Sequence, residues 1–132
     1  ACQTLALGLD EATRDHIGDA AAAGLWSPFG YFENLTTAAN QQFLARYRER
    51  VGSWAPPVSS FSESVYEAVH LCAAAARKAR SWDPLMVGRA MQGSEFDGPR
   101  GRTAVRDPST LDQAMFLAQA SGDRLAIRDQ VA

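Results

Sequence analysis

The sequence predicts an α/β fold in which helices come first and a C-terminal antiparallel β-ribbon follows. Two long stretches, at about 37–51 and 60–80, place apolar residues at the 3.6-residue period of an amphipathic helix. From Ser94 onward the pattern changes to short strand-like runs separated by turns rich in Gly and Pro. A chain of 132 residues has room for one modest core, so residues 1–132 are expected to belong to one domain.

The first third of the chain is expected to contain a strand end, a helix and an irregular strand. Residues 3–9 end a strand and enter a loop, and Asp10 is a suitable N-cap for a helix over about 11–22. The stretch 25–32 that follows is apolar and aromatic. Pro28 restricts it to an irregular or edge strand, because proline cannot donate a hydrogen bond to a central ladder.

The helix predicted over about 37–51 has a clear apolar face. Phe43, Leu44 and Tyr47 fall on that face, and the polar residues between them point to solvent. Gly52 is expected to end the helix. The Pro-Pro pair a few residues later predicts a loop, because proline cannot continue a helix.

A longer helix is predicted over about 60–80. Ser60 and Glu63 fit a capping box, in which each side chain satisfies an unpaired backbone N–H at the helix start. The alanine run 73–76 would let another element approach closely. The residues predicted to form the buried stripe of this helix are Phe61, Val65, Ala68, Val69, Cys72 and Ala76.

The last part of the chain predicts a short helix and then the ribbon. Asp83 is the expected N-cap of a helix over about 84–91, with Pro at its first position. A Gly- and Pro-rich turn at 96–101 opens the ribbon, and residues 121–123 form a hairpin turn near its end. The three short strands are predicted at 103–106, 114–118 and 124–128.

Composition and charge exclude several classes of partner. The formal net charge is -2 and the sequence pI is about 5.6, so the chain has no overall basic character to attract nucleic acid. The basic residues within 46–50 are expected to form a solvated helix face. No apolar run approaches the ~20 residues of a membrane span, and the first residues lack the basic region of a signal peptide.

Few residues have the spacing that catalysis or metal binding requires. His16 and His70 lack suitably spaced ligands on both sides, so no metal site is predicted. A nucleophile–base pair and a phosphate-binding loop are not evident, so neither an enzyme nor a cofactor is predicted. Cys2 and Cys72 could form a bridge, although Cys72 is expected to be a small buried residue on its helix.

Five segments occur in an order that is typical of one protein family. An apolar stretch ends in the aromatic pair Tyr31-Phe32, and a Thr- and Asn-containing turn then begins a helix. A Pro-Pro loop leads to the helix that carries Tyr66, and a Gly- and Pro-rich turn opens the final ribbon. The segments are 24–32, 36–47, 56–66, 96–101 and 116–122. Together they resemble the later part of the type I periplasmic (solute) binding proteins, and within that family the amide- and urea-binding branch.

The resemblance implies part of a two-lobed fold. In this family, two α/β lobes are joined by three crossings, and the ligand lies in the cleft between them. The chain resembles only the C-terminal portion of that fold. We therefore expect either a fragment or a sheet completed by another chain, for example in a homodimer, because parallel strands need neighbours and helical cover.

The resemblance also indicates which residues contact ligand. Phe61 and Glu63 lie at the start of the long helix, which approaches the cleft in the family. Gly8 and Leu9 lie where a strand ends and its loop meets ligand, and Tyr31 could line the hinge. The alternatives are core packing for Phe61, the capping box for Glu63, a simple turn for Gly8 and a buried hinge position for Tyr31.

The function implied is non-catalytic binding of a small polar solute of the amide, urea or amino acid class. Closure of the lobes would signal to a membrane permease or to a regulator protein. The expected location is periplasmic or extracytoplasmic, or cytoplasmic for a regulator. The alternative is a structural domain that dimerises through the face of residues 73–76 and an uncovered edge strand.

Overall fold

The computed structural model describes residues 2–131 of the chain, which form helices and two small antiparallel sheets. The helices are α1 (Glu11–Ile17), α2 (Asp19–Ala22), α3 (Ala38–Val51), α4 (Ser60–Ala79) and α5 (Pro84–Met91). The strands are β1 (Trp26–Phe29), β2 (Glu95–Gly98), β3 (Gly101–Asp107), β4 (Thr110–Asp112), β5 (Phe116–Ser121) and β6 (Arg124–Gln130). Helices followed by antiparallel strands agree with the predicted fold class.

The predicted single ribbon is in fact divided between two sheets. One sheet has the order β1-β5-β6 and the other the order β2-β3-β4. The division arises because β5 pairs with β1, with Phe29 opposite Phe116, as well as with β6. Strands β2 and β4 are not among the predicted strands, whereas the hairpin turn between β5 and β6 is as predicted.

The predicted helix over about 11–22 is interrupted. Asp10 caps α1 as expected, since its side chain accepts a hydrogen bond from the Thr13 N–H at 2.9 Å. Gly18, at φ 83°, then ends α1 and separates it from α2. A glycine adopts this backbone conformation readily, so the break has a local cause that the helical period does not reveal.

Strand β1 lies at an edge of its sheet, as Pro28 requires. On its other side, Leu5 forms a single parallel bridge with Trp26, where the sequence predicts a strand end. Within residues 2–131, no helix is long and apolar enough to cross a lipid bilayer.

The main hydrophobic core surrounds the segment that follows β1. Tyr31 and Phe32 are fully buried there, and Leu44 of α3 and Leu125 of β6 pack into the same cluster. Helix α3 has the predicted bounds because Thr37 caps its start and Gly52, at φ 93°, follows its last residue. Its predicted apolar face therefore points to the core.

Helix α4 has nearly the predicted bounds but a different cap. The N-cap is Ser59, whose side chain accepts the Ser62 N–H at 3.0 Å. The predicted capping box of Ser60 and Glu63 is wrong. The carboxylate of Glu63 instead reaches across to Arg100.

The predicted buried stripe of α4 is also largely wrong. Phe61 is 71%, Val65 64% and Val69 62% exposed, and Cys72 is exposed too. Of the predicted stripe, Ala76 is buried. The residues that face inward are Ser60, Glu63, Glu67, Leu71, Ala75 and Ala76. The physical reason is a charged partner, since the β2–β3 turn brings a guanidinium against this side of the helix.

Candidate functional site

Two short segments lead from the first unit, around the β1-β5-β6 sheet, towards the second unit, which holds α4 and the β2-β3-β4 sheet. Helix α3 contacts both units, since Leu44 lies in the main core and Phe43 meets Tyr66 of α4. The first crossing, residues 30–37, runs from β1 to α3, and the second crossing, residues 113–115, runs from β4 to β5. A cleft protein that closes by hinge motion would bend at such segments. Of the residues predicted to bind ligand, Tyr31 lies in the first crossing and Phe61 contacts Phe29 at its start.

Tyr31 lies in the first crossing and is fully buried. Its hydroxyl donates a hydrogen bond to Asn40 Oδ1 at 2.9 Å, and Asn40 Nδ2 donates to the carbonyls of Glu33 and Leu35, each at 2.8 Å. Burial, together with the negative charge of nearby carboxylates, raises the pKa of Tyr31. Tyr31 is therefore a neutral donor that fixes the crossing to α3, which agrees with the buried hinge position.

Phe61 lies in the first turn of α4 and is exposed, so the core-packing alternative is wrong. Its ring meets Phe29 edge to face, with the ring centroids 6.2 Å apart, and Phe29 meets Phe32 in the same way. This geometry supports the ring from one side and leaves the rest of it open to solvent. The ligand contact predicted for Phe61 stays a prediction.

Gly8 and Leu9 occupy different environments although they are adjacent. The Leu9 side chain is only 2% exposed and belongs to the main core, and its carbonyl accepts a hydrogen bond from the Ser27 hydroxyl. Gly8 is exposed, and a Cβ added there would meet nothing within 4 Å. The space beside Gly8 is therefore open, and no crowding explains why position 8 is glycine.

Glu63 is fully buried in a cluster of charged and polar side chains. Arg100, at the β2–β3 turn, donates from Nη2 to Glu63 and, at 2.6 Å, to the Ser64 hydroxyl. Arg100 Nε lies 3.1 Å from Glu67 Oε2, and the Thr103 hydroxyl donates to the other oxygen of Glu67. The Glu63 carboxylate is thus used inside the chain and holds α4 in place.

The electrostatics of this cluster are unbalanced. Two carboxylates face one guanidinium, and Glu63 Oε1 has no hydrogen-bond partner within the described residues. Burial raises the pKa of Glu63, and the hydrogen bond from Arg100 opposes that rise without cancelling it. An uncompensated buried charge is unfavourable, so Arg100 is essential to this arrangement.

A second charged network lies beside the first crossing, around a cavity of about 280 Å³. Glu33 accepts from Arg48 at 2.6 Å and from the Val58 N–H at 3.0 Å, and its own N–H donates to Glu11 at 2.5 Å. Burial raises the pKa of Glu11 to about 7, and the hydrogen bond from the Glu33 N–H opposes this rise without cancelling it. Glu11 therefore titrates near neutral pH at the junction.

A groove of about 1390 Å³ lies between the two sheets and is lined by Thr37, Arg102, Ala104, Arg124 and Arg128 among others. None of the five residues predicted to contact ligand lines it. Among residues 2–131, no group of three or more His, Cys, Asp or Glu side chains could hold a metal ion. The described cysteines are both free and exposed, so the burial predicted for Cys72 is wrong.

Sequence reasoning did not identify Arg100, Glu67, Thr103 or Gln113 as members of one site. Two signals point towards it. Two glutamates lie four positions apart on a helix rich in apolar residues, and an arginine lies within a tight Gly-Pro-Arg-Gly turn. Nothing local connects the two signals, because Glu63 and Arg100 are 37 positions apart.

Comparison with known proteins gives a family and a fold. The sequence profile of a family described as Periplasmic binding protein matches residues 1–124. No curated protein matches the chain in sequence. The similarities described below are therefore to solved structures.

Three solved structures illustrate the similarity. One is the solute-binding protein of an ABC transporter from Rhodopseudomonas palustris BisB5, in complex with 3,4-dihydroxybenzoic acid. Its sequence identity to this chain is 23% and the TM-score is 0.77; the match covers 98% of this chain and 36% of that protein. An amino acid ABC transporter substrate-binding protein from Pseudomonas fluorescens Pf-5 is 15% identical with a TM-score of 0.80 over 97% and 36%. A branched-chain amino acid transporter substrate-binding protein from Streptococcus pneumoniae, in complex with isoleucine, is 17% identical with a TM-score of 0.72 over 89% and 34%.

The chain thus spans about a third of the length of each of these proteins. At such low identity the similarity concerns the fold. The predicted fold class is confirmed.

Proposed function

The chain belongs to the periplasmic binding protein family, and on this basis we propose that it is part of a non-catalytic receptor for a small polar solute. The family match over residues 1–124 carries the proposal. Residues 1–132 form the C-terminal portion of the ligand-binding fold. In the intact receptor, two lobes close on the solute by bending at the crossings.

The solute belongs to the amide, urea or amino acid class. Two of the similar structures are named as amino acid receptors, which supports the amino acid part of the proposal. Complexes with benzoate and with 3,4-dihydroxybenzoic acid add aromatic acids as candidates. Amides and urea have support only from the sequence resemblance.

Phe61 and Gly8 contact the solute, while Leu9, Tyr31 and Glu63 support the surface from inside. The exposure of Phe61 and the open space at Gly8 support these contacts. A half-supported aromatic ring presents a face on which a planar or apolar part of a solute can pack. The buried positions of the other three residues support the indirect role.

The receptor acts together with a membrane permease or a regulator protein, and it is extracytoplasmic in the first case. A cytoplasmic location is the alternative for a regulator. The exposed apolar face of α4, formed by Phe61, Val65 and Val69, supports contact with a further part of the receptor. An apolar face of this kind is typical of an interaction surface.

The decisive experiment is calorimetric titration of the protein expressed from its complete reading frame. The panel is leucine, isoleucine, 4-hydroxybenzoate, acetamide and urea. For whichever compound binds, Phe61→Ala should raise the Kd about tenfold, which is a loss of about 1.4 kcal/mol in binding free energy. Val69→Ala, on the same exposed face, is the matched control and should leave the Kd unchanged.

In the chain of residues 1–132, both variants should keep their unfolding free energy within about 0.5 kcal/mol, because both side chains are exposed there. An unchanged Kd in Phe61→Ala would remove Phe61 from the site. If no compound in the panel binds or raises the Tm, the proposed solute class is wrong.

A dimerisation domain is the second candidate, and the exposed face of α4 is the observation that favours it. The face predicted for this role, residues 73–76, is closed within the chain, since Ala75 and Ala76 are buried. Light scattering during gel filtration tests the alternative. A dimer that Val65→Lys converts to a monomer would support assembly, and a monomer at all concentrations would reject it.

A further inference from the structure

The turn between β2 and β3 touches both crossings. Arg100 Nη1 donates a hydrogen bond to Gln113 Oε1, in the second crossing, at 2.6 Å. In the first crossing, a Cβ added to Gly30 would lie 2.7 Å from the same Nη1 atom, so a larger residue there would require the guanidinium to shift. The Thr37 hydroxyl, at the end of that crossing, donates to the Pro99 carbonyl at 3.0 Å.

The guanidinium that makes these contacts is itself rigidly held. Arg100 is 3% exposed, and its opposite edge is bound by Glu63, Ser64 and Glu67 of α4. Its planar fork matches several acceptors at once, which the point charge of a lysine cannot do. Through Arg100, helix α4 is therefore connected to both crossings, which lead to the unit around the β1-β5-β6 sheet.

Surface ion pairs of the same sheet behave differently. Arg102, two positions further on, pairs with Glu95 while both side chains remain more than half exposed. Arg106 pairs with Asp112 in a similarly exposed position. Such pairs contribute little to stability or geometry, so Arg102 offers a matched control for Arg100.

We infer that Arg100 is a positioning residue that holds the two crossings at a fixed separation on α4 and so sets the relative orientation of the two sheets. Removal of the guanidinium deprives Gln113 Oε1 of its donor and leaves two buried carboxylates without their cationic partner. The two units then sample a wider range of orientations. The consequence for ligand affinity rests on the proposed function, whereas the anchoring itself does not.

The test measures the distance between the two units by pulsed electron spin resonance on the ligand-free chain. One spin label is attached to the exposed Cys72 of α4 and the other to a cysteine introduced by Ser121→Cys at the exposed end of β5, in a Cys2→Ser background. Arg100→Met should broaden the distance distribution about twofold, and Arg100→Lys should broaden it less. Arg102→Met should leave it unchanged.

A second variant keeps the test decisive if Arg100→Met does not fold. Gln113→Ala removes only the contact with the second crossing and should broaden the distribution by a smaller amount. An unchanged width in both Arg100→Lys and Gln113→Ala would overturn the inference. Equal broadening in Arg102→Met would also overturn it, because the effect would then not depend on the buried position.

The outcome is independent of the ligand panel. Failure of every compound to bind would overturn the proposed solute class and leave the distance measurements as they are. If the distance distribution is equally narrow in all Arg100 variants, the inference that Arg100 anchors the crossings is wrong, while any measured Kd stands.

Discussion

Helix α3 turns Leu44 towards the main hydrophobic core, whereas the longer helix α4 buries Glu63 and Glu67 and leaves Val65 and Val69 largely exposed. Both helices have a side-chain period suited to one buried face. The difference lies in what each helix packs against. Helix α3 meets the aromatic and aliphatic core, while α4 meets a turn that carries Arg100.

The comparison teaches that an apolar stripe is buried only where a second apolar surface covers it. Paired carboxylates can take the inward position when a guanidinium and hydroxyl groups satisfy them. The stripe of α4 then remains available for contacts outside the described residues. Three measurements would break or sharpen this contrast.

The largest expected effect is on the core face of α3. Leu44→Ala should lower the free energy of unfolding by about 2–4 kcal/mol, because it removes buried methyl groups and leaves a cavity. Val65→Ala on the exposed face of α4 should change it by less than about 0.5 kcal/mol. Urea denaturation of the two variants measures the difference, and equal losses would show that the α4 face is covered after all.

The next effect concerns Glu11, a half-buried carboxylate outside α4. Its pKa in the folded chain is raised to about 7 from 4.5, so the folded state retains a proton that the unfolded state has lost between these values. Stability should therefore fall as the pH rises from about 4.5 to 7. Glu11→Gln should remove this slope and increase stability at pH 8 by about 1–3 kcal/mol.

Thermal or urea unfolding at pH 4 and pH 8 measures this change. Glu49→Gln on the exposed side of α3 is the control and should not alter the slope. A wild-type stability that does not depend on pH between 5 and 8 would contradict the burial assigned to Glu11.

The smallest effect concerns the start of α4. Ser59→Ala should lower stability by about 1 kcal/mol, because the Ser62 N–H loses its acceptor. Ser53→Ala in the exposed loop before it should change stability by less than about 0.5 kcal/mol. Circular dichroism during urea unfolding distinguishes the two variants. An unchanged unfolding free energy in Ser59→Ala would contradict Ser59 as the N-cap and favour the cap predicted at Ser60.

Much of the fold could be predicted from local signals. Asp10 and Asp83 were recognisable as N-caps, Gly52 as the end of α3, and Pro28 as the mark of an edge strand. Each of these residues affects the hydrogen bonding or conformation of backbone groups only a few positions away in the sequence. The bounds of α3, α4 and α5 therefore agree with the sequence to within a residue or so.

The candidate site was predictable only in part. The sequence places Phe61 at the start of α4 but also allows it to pack in the core, and the capping box that it predicts for Glu63 is absent from the structure. The role of Glu63 depends on Arg100, which is distant in sequence. No helical period or capping rule contains that information.

The sequence by itself determined the bounds of α3, α4 and α5, and which family the chain belongs to, because these properties depend on short patterns of side chains. Only the tertiary structure decided which face of α4 is buried, how the ribbon divides into two sheets, and that Arg100 contacts both crossings. These outcomes depend on which distant surfaces meet. Burial of a side chain is a property of such a contact and not of the residue alone.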